Sequence, residues 1–217
     1  MKNQTDVTII LDRSGSMNSV KEDTIGGFNN FLKEQQASTN DDVVSLIQFD
    51  DQYEAVYRHK PKAEAALLTG ESYQPRGGTA LLDAIGRTIT DVGNRLGALT
   101  ESERPVRVAI IIITDGQENS SREFKLEKIN EMIAHQRDKY KWEFVFIGAN
   151  QDAIATATSM HIPVANALTY AANSIGTQAA FASVSASYRC YSGATQLHTS
   201  FNKADREKQE EALGSIK

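Results

Sequence analysis

The chain has 217 residues, a hydrophobic fraction of 40% and a formal net charge of -5. That length and apolar content suit one large domain with a sizeable core, or one domain with an extension. The negative balance argues against a non-specific nucleic-acid binder and against a module that docks on anionic lipid, since both need a basic face. A single cysteine, Cys190, excludes an internal disulfide framework and fits a reducing compartment. The stretch Met1-Lys2-Asn3-Gln4-Thr5-Asp6 has no apolar signal core, and no segment is apolar for long enough to span a bilayer. The expectation is a soluble, cytoplasmic protein.

Val7 to Leu11 is rich in β-branched residues with little alternation, which predicts a first strand covered on both faces. A helix is expected from about Ser19 to Gln36, with Val20, Thr24, Gly27, Phe28, Phe31 and Leu32 on one stripe. Gly26 and Gly27 each weaken it by up to ~1 kcal/mol relative to alanine, and close packing of Gly27 on the sheet is the expected return. Val43 to Phe49 reads as the second strand. Tyr53 to Arg58 alternates after the turn signal Asp50-Asp51, which predicts a hairpin with an antiparallel edge strand.

After Pro75-Arg76-Gly77-Gly78, a helix carries Leu82, Ile85, Ile89, Val92 and Leu96 on one face. Val106 to Ile113 is the most apolar run and predicts a central parallel strand. A helix from about Arg122 to Arg137 and a strand from Trp142 to Ile147 follow. Ala149 to Met160 reads as helical, with Asn150-Gln151-Asp152 at its start. Ile162-Pro163-Val164 reads as a short last strand, where proline suits an edge. Asn173 to Arg189 reads as a helix with Phe181, Val184 and Tyr188 on one face, and Asn202 to Leu213 as a solvated helix or a mobile tail. Strands alternating with helices after an early hairpin give an α/β fold: a mostly parallel central sheet with one antiparallel edge strand and helices on both faces.

Three separated motifs concentrate oxygen side chains where strands end or a helix begins: Asp12-Arg13-Ser14-Gly15-Ser16, Gly77-Gly78-Thr79 and Thr114-Asp115-Gly116. In an α/β fold these are the places where binding loops gather. Ser14, Ser16 and Thr79 offer neutral hydroxyls, and Asp12 and Asp115 offer carboxylates. With no cysteine cluster or paired histidine, zinc and copper fit poorly. An all-oxygen set with few charges suits Mg²⁺, with Mn²⁺ or Ca²⁺ as substitutes. An ion left under-neutralised at the surface attracts an anion, and the protein-borne form of that anion is an Asp or Glu side chain of a partner.

These motifs, in this order and context, resemble the metal-ion-dependent adhesion site (MIDAS) of von Willebrand factor type A (VWA) domains. The resemblance spans about residues 5 to 190, which would be the domain, leaving 191–217 as a polar C-terminal tail or solvated helix. It implies a Rossmann-like three-layer fold with the metal at the C-terminal edge of the sheet. It also implies Ser14, Ser16 and Thr79 as direct ligands, Thr79 depending on an open or closed state, with Asp12 and Asp115 coordinating or holding water. Members inside cells serve as adaptors or complex subunits, some with AAA+ ATPases, and the resemblance permits that role. The five-residue pattern shows no departure.

Other readings of the same residues are simpler. Asp12 to Ser16 alone fits an ordinary turn with a helix cap. Asp83 is either an acceptor behind the site or an acid favoured by a helix N-terminus. Arg13, Glu118 and Asn119 are rim candidates, with Arg13 more simply a solvated side chain, and Asp152 reads as a cap-region acid. His59, His135, His161 and His198 are scattered without ligand spacing. The functional alternatives are a Mg²⁺-dependent hydrolase or phosphoryl-transfer enzyme and a purely structural ion. Against the enzyme stand the missing Gly-x-x-x-x-Gly-Lys-Ser/Thr loop and the serine at position 14, which breaks an Asp-x-Asp motif. The favoured reading is therefore a non-enzymatic protein-interaction module.

Overall fold

Apolar runs covered on both faces form the middle of a six-stranded sheet. The computed structural model describes residues 1–149 and 153–214. In chain order the strands are β1 (Lys2–Asp12), β2 (Val43–Phe49), β3 (Tyr53–Pro61), β4 (Pro105–Thr114), β5 (Glu143–Ala149) and β6 (Ala167–Tyr170). The helices are α1 (Lys21–Gln36), α2 (Leu81–Gly97), α3 (Leu126–Tyr140), α4 (Ala153–Ser159), α5 (Ser174–Ser192) and α6 (Lys203–Gly214). The spatial order is β3-β2-β1-β4-β5-β6, parallel except for β3, which pairs antiparallel with β2 at the edge. This is the expected three-layer α/β architecture.

The period-two geometry of a strand divides the core. On β4, Ala109, Ile111 and Ile113 face α1 and α5, where they meet Phe28, Phe31, Val184 and Tyr188. Val108, Ile110 and Ile112 face α2, α3 and α4, where they meet Ile85, Ile89, Ile129, Ile133 and Ala157. Strand order reverses between β1 and β4, so the helices after these two strands leave to opposite faces. The crevice at their carboxyl ends is the topological switch point of such sheets.

Five local expectations change, the first being Ala149, which closes β5 instead of opening a helix. Ile162-Pro163-Val164 is not a strand: Pro163 leads into a 3₁₀ turn, Val164–Asn166, and the last strand is Ala167–Tyr170, in register with Phe146–Ala149. The turn is fixed by buried Asn166, whose amide donates to Glu143 Oε2 and the Phe144 carbonyl, both at 3.0 Å. Helix α3 begins at Leu126 rather than Arg122, because the amides of Arg122, Glu123 and Phe124 are taken by the Asp83 carboxylate at 2.8, 2.9 and 2.9 Å. The nearest neighbour of Gly27 is the Phe181 ring of α5, so the close packing that Gly27 permits is between helices. Helix α6 is neither fully solvated nor detached: Gln209 and Ala212 are buried, and Gln209 accepts from the Ala171 amide at 3.2 Å and donates to the Gly176 carbonyl at 3.1 Å. Asn150, Gln151 and Asp152 lie outside the described residues.

Candidate functional site

Each of the three motifs sits at the C-terminal edge of the sheet. Strand β1 ends at Asp12, and Arg13 to Ser16 turn into a 3₁₀ segment, Gly15–Val20, ahead of α1. Ser14 precedes that segment, yet its side chain makes no cap hydrogen bond. Its Oγ lies 3.0 Å from Ser16 Oγ, and Ser16 Oγ donates to Asp115 Oδ1 at 2.5 Å. The cap half of the ordinary reading therefore fails here, while the turn half holds, since Asp12 Oδ1 accepts from the Ser14 amide two residues on. Strand β4 ends at Thr114, whose hydroxyl donates to Asp12 Oδ2 at 2.5 Å across the switch point. The other oxygen of Asp12 accepts from the Ser14 amide at 2.6 Å. Tyr73, fully buried, donates to the Asp12 carbonyl at 2.6 Å.

Thr79 arrives from the loop before α2. Gly77 has φ +65, a conformation that glycine adopts without a Cβ penalty, and a Cβ there would lie 2.9 Å from Asp51 Oδ1. The Gly77 carbonyl accepts from the Gly15 amide at 3.2 Å, and the Arg13 carbonyl accepts from the Arg76 amide at 2.8 Å, so the first two motifs are joined main chain to main chain. Thr79 does not cap α2, whose N-cap residue is Ala80. A Cβ built on Gly116 would lie 2.8 Å from Thr79 Oγ1, 3.3 Å from Ser16 Oγ and 3.5 Å from Ser14 Oγ. The hydroxyls of Ser14, Ser16 and Thr79 are thus brought together beside Gly116, with Asp115 joined to them through Ser16 and Asp12 through the Ser14 amide.

Asp12, Ser14 and Thr79 are buried, while Ser16 is exposed and gives the cluster a route to solvent. Burial pushes the Asp12 carboxyl up to about 6 against the lowering effect of bonds from Thr114 and Ser14, and the nearby Asp115 adds to the rise. Burial also raises Asp115. Among the described residues neither carboxylate forms an ion pair. Two unpaired acids with three hydroxyls suit a hard divalent ion. No group of three His, Cys, Asp or Glu side chains poised for a metal occurs among the described residues.

The neighbouring candidates take structural parts. Arg13 is buried rather than solvated, pairing with Asp50 at 3.1 Å and Glu54 at 2.6 Å, and it is turned away from the cluster. Asp83 holds the segment before α3, as described above. Asn119 Oδ1 accepts from the Thr79 amide at 2.9 Å, and Glu118 Oε2 accepts from the Leu82 amide at 2.9 Å, so these two brace the Thr79 loop instead of only lining a rim. His59 contacts Arg95 and Asp6, His135 packs on Tyr140, His198 meets Glu143, and His161 follows α4, so none serves the serines as a base. Sequence reasoning passed over Asp50 and Arg76. Asp50 is fully buried and accepts from Arg76 Nε at 2.8 Å. Burial would raise its carboxyl, but the bonds from Arg76 and the Gln52 amide, with the Arg13 charge, hold it below the usual value. The signal was its position: Asp50 follows β2 much as Asp12 closes β1. A cavity of about 640 Å³ between α2 and α3 opens at the opposite edge, beside Pro105 and Trp142, and includes none of the five residues.

No match to a curated protein sequence was found. Among solved structures, proximal thread matrix protein 1 from the mussel byssus aligns with TM-score 0.56 and 16% identity over 84% of this chain and 45% of that one. A second structure of that protein, with a zinc-occupied MIDAS motif, aligns with TM-score 0.51 and 16% identity over 76% and 41%. The ArnB paralog VWA2 from Sulfolobus acidocaldarius aligns with TM-score 0.54 and 15% identity over 86% and 45%. The chain therefore spans less than half the length of these structures, and at such identities the likeness is one of fold. Residues 6–188 match the family model of the von Willebrand factor type A domain. That match runs from β1 into α5, across every strand of the sheet, and the chain belongs to the von Willebrand factor type A domain family.

Proposed function

We propose that this chain is a Mg²⁺-dependent protein-interaction module that takes a partner's Asp or Glu carboxylate at the cluster of Asp12, Ser14, Ser16, Thr79 and Asp115. The observation that carries the reading is the gathering of three hydroxyls beside Gly116, with Asp115 bonded to Ser16, Asp12 bonded to the Ser14 amide, neither acid in an ion pair among the described residues, and Ser16 open to solvent. Ser14, Ser16 and Thr79 are assigned as direct ligands, and Asp12 and Asp115 as ligands or holders of water. A bound divalent ion supplies the positive charge that an incoming acid needs. The chain's own residues hold the hydroxyls at fixed positions and leave one side accessible. A protein of the same fold with zinc at its MIDAS motif supports a divalent ion at this place. Mn²⁺ or Ca²⁺ are the expected substitutes. The partner role we assign is that of a cytoplasmic adaptor or complex subunit, with an AAA+ ATPase assembly as one setting. Among the described residues no helix is long and apolar enough to cross a membrane.

The test is affinity capture with wild type and Asp12→Ala, each with Mg²⁺ or with chelator. Capture by wild type in Mg²⁺ alone supports the bridge; equal capture in all four conditions sinks it. Hydrolysis of a phosphate ester that is lost in Asp115→Ala would move the chain to the enzyme class.

A further inference from the structure

We propose that Asp50, at the end of the neighbouring strand, is a positioning residue that clamps the Asp12–Ser16 loop to the Thr79 loop and so sets the spacing of the cluster. The inference rests on the metal reading given above and adds a residue outside the five. Asp50 is wholly buried, and its carboxylate faces two guanidinium groups. One belongs to Arg13, which lies between Asp12 and Ser14. The other belongs to Arg76, in the segment leading to Thr79. Asp50 Oδ2 accepts from both Nε atoms, at 3.1 Å from Arg13 and 2.8 Å from Arg76. Its other oxygen accepts from the Gln52 amide at 2.6 Å, which fixes the carboxylate plane.

The main chain of Asp50 adds a third tie. Its carbonyl accepts from the Ala80 amide at 2.8 Å, next to Thr79. One residue therefore touches both loops and the start of α2. Hydrogen bonds to charged groups are stronger than neutral ones, and a buried acceptor loses little of that strength to water. The two loops also exchange main-chain bonds through Gly15 with Gly77 and Arg76 with Arg13. Those bonds form only when the loops stand at one separation, which is the separation the carboxylate enforces. A buried acid that neutralised only Arg13 would need no second arginine from the other loop.

The experiment compares wild type with Asp50→Asn, Arg76→Gln and Arg76→Lys. Arg76 is half-exposed, so its variants are expected to fold even where Asp50→Asn is not. Amide hydrogen exchange is read in metal-free protein at positions 15 and 76, against Ile129 and Ile133 in α3. Mg²⁺ affinity is read by calorimetry. The clamp predicts that exchange at positions 15 and 76 speeds up selectively. Mg²⁺ affinity should fall about tenfold in Asp50→Asn and about threefold in Arg76→Gln, with partial recovery in Arg76→Lys. Exchange that is unchanged, or that rises equally in α3, overturns it. If wild type binds no Mg²⁺, the proposed function fails, and the exchange data alone decide on the clamp.

Discussion

Tyr73 shows how a residue remote in sequence can fix a site. Its ring is fully buried, and its hydroxyl supplies the Asp12 carbonyl at 2.6 Å, where β1 turns into the serine loop. Tyr73→Phe keeps the ring and removes the donor. It should cost about 1–3 kcal/mol by urea denaturation, because a buried acceptor loses its partner. Thr114 plays a related part from the other side, through its bond to Asp12 Oδ2. The five oxygen-bearing residues were legible in the sequence because each lies in a short motif at a strand end or helix start. Tyr73, Asp50 and Arg76 were not, because their roles depend on which loops lie side by side. Asp50-Asp51 reads as a turn signal, and nothing local to it announces two arginines from elsewhere.

At the scale of elements, neighbouring glycines in α1 make opposite predictions. Gly26 is exposed, and a Cβ there meets nothing within 4 Å. Gly26→Ala should stabilise the protein by about 0.5–1 kcal/mol, since alanine restricts the unfolded chain and favours the helix. Gly27 faces the Phe181 ring at a distance no Cβ tolerates. Gly27→Ala should therefore destabilise by about 1–3 kcal/mol through displacement of that ring. Thermal denaturation of the two variants, read side by side, checks both signs. The period of the apolar stripe located α1 and α5, as it did the face of α2. It did not tell which helix would lie against Gly27, because amphipathicity names a buried face and not the element that covers it.

At the scale of the whole molecule, two predictions concern what completes the fold. Gln209 links α6 to the end of β6 and the start of α5 by two buried hydrogen bonds. Gln209→Ala should cost about 1–3 kcal/mol, because the Ala171 amide and the Gly176 carbonyl each lose a partner. Removal of residues 203–217 should cost more, since the burial of Ala212 goes too. Equilibrium unfolding of each variant measures this and tests our proposal that the domain proper spans 5–190. The second prediction concerns the ion. Mg²⁺ at a hundred times its dissociation constant adds about 2.7 kcal/mol to the folded state. For a chain of this size that is a rise in Tm of about 5–10 °C. Differential scanning with Mg²⁺, then with chelator, should show the rise and its reversal, and Asp12→Ala should show neither.

The linear sequence determined the architecture, because a run of Val and Ile with no polar interruption must be covered on both sides, and strands of that kind joined by helices form a parallel sheet. It also determined which oxygens were candidates, through motifs that are local in the chain. Only the tertiary structure decided that they converge, through a strand order that reverses between β1 and β4 and brings Asp12 beside Thr114. Only it decided that Arg13 turns inward to Asp50 and that α6 returns to the sheet. Those outcomes depend on contacts between segments far apart in the chain, whose energies no local pattern of residues encodes.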